Sequence, residues 1–130
     1  MDIDFAALEK EIAEQIAIQR RREQLHDTKA LAHLRDTARP FVNYIRRRLI
    51  ETAKIDDEPT KRNRSFTFTV FILTASQSNI HTYNNVVSFG METRDDEEFV
   101  WFVGNEQAEN FESLVKAVLY TCLDSGLFKT

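Results

Sequence analysis

The side chains best suited to chemistry in this 130-residue chain are its arginines. Arg20-Arg21-Arg22 and Arg46-Arg47-Arg48 form two triplets, with Lys61, Arg62 and Arg64 further along and Arg35 and Arg39 between them. Guanidinium forks match pairs of phosphate oxygens, so such a set can grip a nucleic-acid backbone. On a helix, neighbours stand about 100° apart, so each triplet spreads charge round most of the circumference. A solvated helix that pairs with local acids, such as Glu23 and Glu51, or with the acidic C-terminal half is the favoured reading of the triplets. The chain carries a net charge of −4, whereas a nucleic-acid-binding domain is usually basic. Nucleic-acid binding by Arg20, Arg21, Arg22, Arg46, Arg47, Arg48, Lys61, Arg62 and Arg64 is therefore the alternative expectation.

Other candidates are weaker. His26 and His33, with Asp27 and Asp36 nearby, are seven residues apart, too far for the i, i+4 pair that holds one metal ion. Asp95-Asp96-Glu97-Glu98 has carboxylates but lacks the glycine and spaced oxygens of a calcium loop. Cys122 falls on an apolar helical face with no histidine beside it, which reads as a small buried hydrophobe. Ser88-Phe89-Gly90 lacks the flanking glycines of a nucleophile elbow. Three glycines in the whole chain leave no phosphate-cradling loop. The strand aromatics Phe66, Phe68, Phe71, Phe89, Phe99, Trp101 and Phe102 have only Arg94 as a base among residues 65–103, so they read as core rather than base-stacking platforms. The expectation is a non-enzymatic protein with no catalytic residue, no metal and no cofactor.

The elements that carry these residues follow from periodicity. Asp4 can cap a first helix, in which Phe5, Leu8, Ile12 and Ile16 recur at spacings of three and four. The stripe fades at Gln19 to Gln24 and resumes with Leu25, Leu31 and Leu34. Either the helix bends near His26-Asp27-Thr28, where Asp27 could cap a second helix, or it continues as a rod and seeks a partner. The strong helix formers of the polar waist favour the rod. Pro40 opens a second helix, with Phe41, Val42, Ile45, Leu49 and Ile50 on one face. Asp56-Asp57-Glu58-Pro59 stops it, and Lys61 to Arg64 read as linker. Ser65–Ala75, Ile80–Thr93 and Glu98–Val103 read as strands, with turns at Ser76–Asn79 and Arg94–Glu97. Asn84-Asn85 fits a bulge or a tight turn within the second strand. Asn105 can cap a last helix, and Gly126 can end it.

The predicted fold is α+β: helices of about 4–35 and 40–55, a three-stranded antiparallel meander, and a C-terminal helix. It forms one domain over 1–130, in which residues 1–38 are a partner-contact arm and 40–130 an α-βββ-α body. The first and third strands are apolar on both faces, which predicts that both faces of the sheet are covered. Three strands would also leave two open edges. Together with the long apolar stripe, this predicts a homo-oligomer, a dimer first of all, with Phe5, Leu8, Ile12 and Ile16 at its interface.

Charge is divided along the chain. Residues 1–19 are net −4, residues 20–64 net +6, and residues 65–130 net −6. Such asymmetry predicts an electrostatic partner, or one segment docking on another. The acidic start opposes a presequence. The longest apolar run, Phe99 to Val103, falls far short of the roughly 20 residues of a membrane span. A lone cysteine gives no internal disulfide. These features predict a cytoplasmic, reducing setting and a regulatory, inhibitory or adaptor module that binds another protein.

Overall fold

The computed structural model describes residues 2–75, 81–94 and 98–130. The fold is α+β: a long helix, an antiparallel sheet of six strands, and a C-terminal helix. The expected turn at Ser76–Asn79 and the acidic residues 95–97 lie outside the described residues.

Helix α1 runs unbroken from Phe5 to Arg48, where two helices were expected. At 1.5 Å per residue its 44 residues span about 66 Å. Asp4 caps it, its carboxylate accepting a bond from the Ala7 amide at 3.1 Å. Asp27 starts no second helix, and Pro40 sits inside α1. Proline there costs one backbone hydrogen bond, to the carbonyl of Asp36. The buried side chains of Ala38, Phe41, Val42 and Ile45 hold the helix in line on either side of that gap.

The predicted helix to residue 55 ends instead at Arg48, and Ala53–Ile55 forms strand β1. The predicted linker begins with β2, Thr60–Arg62, which turns through Asn63 at positive φ. Strands β3 (Ser65–Ala75), β4 (His81–Thr93) and β5 (Phe99–Val103) form the predicted meander. A bulge interrupts the β3–β4 register between Val70 and Phe71, opposite Val86. Asn105 does not cap the last helix: Glu106–Gln107 is β6, and α2 runs from Phe111 to Asp124 with Asn110 as its cap. Gly126, at φ +69°, follows the helix as expected.

The short strands cover only part of the sheet's edges. β1 and β2 both pair with one side of β3, and β6 pairs with β5. β5 pairs with β4 only over Phe89–Thr93, so among the described residues no strand flanks the outer side of Thr82–Val87 in β4.

One face of the sheet carries the core. Phe66, Phe68 and Val70 of β3 and Val87, Phe89 and Met91 of β4 meet Leu34, Phe41, Val42 and Ile45 of α1 and Leu114, Val118 and Cys122 of α2. Phe41 is 5.5 Å from Phe89 and 6.2 Å from Phe111, ring centre to ring centre. Both helices therefore lie on the same side. The expectation that both faces are covered fails: no described element lies over the other face. Its centre is polar, with Thr69 Oγ1 and Ser88 Oγ bonded at 3.1 Å, and Phe71, Val100 and Phe102 remain half-exposed there.

Candidate functional site

The feature that stands apart from the fold is the first half of α1. Ala30, Leu34 and Ala38 are wholly buried against the sheet, yet every residue from Asp2 to Leu25 is exposed. This arm is about 30 Å long. Alanines, glutamates, glutamines and arginines make it a strong helix by propensity, so it needs little packing to persist. Among the described residues nothing packs over its apolar stripe: Phe5 is 77% exposed, Leu8 46%, Ile12 54% and Ile16 43%.

The stripe has a definite direction. Phe5 and Phe41 are separated by about ten turns at 3.6 residues per turn, so they share an azimuth. The arm stripe is therefore the outward continuation of the face that packs on the sheet. The sheet ends and the stripe goes on.

Where the arm leaves the body, His26 and His33 stack on Phe99, at 6.3 and 4.8 Å between ring centres. His33 also lies 6.0 Å from Trp101. The histidines thus serve as packing surface between helix and sheet. Asp27 pairs with Lys61 of β2. Among the described residues, no cluster of three or more histidine, cysteine or acidic side chains is placed to hold a metal ion.

Next to this root lies an open cleft of about 790 Å³. Gln19, Arg22, Glu23, His26 and Asp27 form its helical wall; Lys61, Asn63, Arg64, Thr93 and Arg94 form the sheet wall. Four bases and two acids line it, and Arg94 donates to Gln107 Oε1 at 2.9 Å. The sequence reading missed Asn63, Thr93 and Arg94 as members of one site. The available signal is that Arg94 is the lone base among residues 65–103.

The other predicted basic residues lie elsewhere. Arg20 and Arg21 are exposed on the arm. The second triplet is about 39 Å further along α1. There Arg46 pairs with Asp57 at 2.9 Å, and Arg48 donates to the Lys129 carbonyl at 2.8 Å while lying over the Phe128 ring. Arg35 and Arg39 both pair with Glu58. Arg47 and Arg62 are exposed. The bases thus divide between the two ends of the body, and those near the β1–β2 loop are matched by acids.

Cys122 is buried on α2, and burial pushes its thiol up to about 11. A thiol so protonated at neutral pH is a poor nucleophile. A second hollow of about 430 Å³ sits on the uncovered sheet face, lined by Lys54, Asp56, Thr60, Thr69, Phe71, Tyr83 and Asn85. No described helix is long and apolar enough to cross a membrane.

Comparison with protein-family models, with curated proteins and with solved structures found no match to this chain.

Proposed function

We propose that this protein is a non-enzymatic interaction module that self-associates through its helical arm, as a homodimer, and acts as a regulatory or adaptor protein. One observation carries the reading: Phe5, Leu8, Ile12 and Ile16 form a single exposed apolar stripe on a helix that has left its own sheet. Burying a large aliphatic or aromatic side chain stabilises by about 1.5–3 kcal/mol. Four such side chains on each of two copies therefore supply a gross gain comparable with the cost of association, about 4–15 kcal/mol. Within the described residues, no part of the same chain covers them.

Nucleic-acid binding is the weaker reading. It has Arg22, Lys61 and Arg64 on one cleft in its favour. Against it stand the distance between the triplets and the pairing of Arg46, Arg39 and Arg35 with acids.

Sedimentation equilibrium on the full chain tests the proposal. The expected result is a dimer at micromolar concentration; a particle of 15.2 kDa at the highest soluble concentration overturns it.

A further inference from the structure

The stripe points towards the cleft. Glu23 lies five turns along from Phe5 and shares its azimuth, and Gln19, His26 and Asp27 stand on the same side of α1. These residues are the helical wall of the cleft. Any rod laid along Phe5, Leu8, Ile12 and Ile16 therefore runs on into the space between that wall and Lys61, Arg64 and Arg94.

Charge selects the rod's direction. The arm's outer part holds Asp2, Asp4, Glu9, Glu11 and Glu14 against Lys10 alone. Its inner part begins with Arg20-Arg21-Arg22 and leads to a cleft in which bases outnumber acids. Two arms laid parallel would set the acidic outer ends of both copies side by side. Laid antiparallel, with Phe5 of each copy level with Ile16 of the other, the acidic outer end of each runs alongside the basic root of the other. Asp2 then reaches the level of Gln19, one helical turn from Arg22. Like charges across an interface oppose pairing, and opposite charges fix orientation and register.

From the proposed self-association through the arm, we infer that the two arms pair antiparallel and that the cleft at each arm's root receives the acidic outer end, Asp2 and Asp4, of the other copy. The cleft is then a docking site for a second copy of this chain, and each site is complete only in the dimer.

Spin labels on Gln24→Cys test the orientation in the full-length protein. Gln24 is exposed and lies outside the cleft wall, and Cys122 is too buried and too protonated to take label at neutral pH. Antiparallel arms separate the two labels by about 40 Å, whereas parallel arms bring them within about 20 Å. A dimer with the short distance overturns the inference and leaves self-association standing; a monomer overturns both. In the same assay Arg22→Glu weakens the dimer about tenfold, and adding Asp2→Lys to that chain recovers most of the loss. An unchanged dissociation constant in Arg22→Glu overturns the docking of the acidic end in the cleft.

Discussion

The imidazole of His33 lies 4.8 Å from the ring of Phe99, with 15° between their planes. This stack joins α1 to β5 just before the helix leaves the sheet. His26, one side of the same ring, and the Asp27–Lys61 pair complete the fastening. Removing the shared ring should loosen the root before the rest. Phe99→Ala is expected to cost about 2 kcal/mol of unfolding free energy, less than a fully buried phenylalanine because Phe99 is only half-buried. Hydrogen exchange should rise over residues 26–33 while residues 38–48 stay protected.

Charging the stripe should separate assembly from folding. Ile12→Glu places a carboxylate where the second copy packs, and sedimentation should then show a monomer. Because Ile12 is exposed within the single chain, the intrinsic stability of the body should change by no more than about 0.5 kcal/mol. A dimer unaffected by Ile12→Glu would remove the arm from the interface.

Gly90 is held by its neighbour across the sheet. A Cβ at this position would stand 1.9 Å from the carbonyl oxygen of Phe66. That atom is backbone in the centre of the β3–β4 ladder, so relief requires the strands to move apart. Gly90→Ala should cost about 3 kcal/mol and lower the midpoint of thermal unfolding measured by circular dichroism.

Cys122 links stability to alkaline pH. Burial raises its thiol from 9.0 to about 11 in the folded chain. The folded state thus holds the proton more tightly than the unfolded state. Its contribution is intact below pH 9 and is lost as pH rises towards 11. Urea unfolding at pH 7, 9 and 10.5 should show this fall, and Cys122→Ala should lessen it. A thiol reagent at pH 8 should react slowly with the native protein and rapidly in denaturant.

Arg48 ties the C-terminal tail to the end of α1. Its guanidinium bonds the Lys129 carbonyl and covers Phe128, whose backbone bridges to Leu49. Arg48→Ala should cost about 1 kcal/mol and raise amide exchange at Ile50 and Lys129, whose N–H groups bond across this joint. Arg47→Ala, at an exposed neighbour, should do neither.

Local chemistry alone determined several features. Asp4 as the helix cap, the stripe through Phe5, Leu8, Ile12 and Ile16, the three long strands and the stop at Gly126 all follow from side-chain type and period, which act over a few residues. The break at Pro40 did not follow, because tertiary burial of Ala38, Phe41 and Val42 outweighs the single backbone bond that proline removes. The short strands β1, β2 and β6 carry too few residues to show a period. They exist because β3 and β5 offer unpaired backbone groups beside them.

The same division governs the site. Sequence showed a long apolar stripe on the first helix and a concentration of basic residues in 20–64. Only the tertiary structure decided which bases stand together. Arg22, Lys61, Arg64 and Arg94 come from a helix, a short edge strand, a turn and a strand end, and nothing in their spacing brings them to one cleft. It also decided that α1 and α2 share one face of the sheet. The physical reason is that burial is set by what lies across the gap, and contacts between distant segments leave no mark on the period of either one.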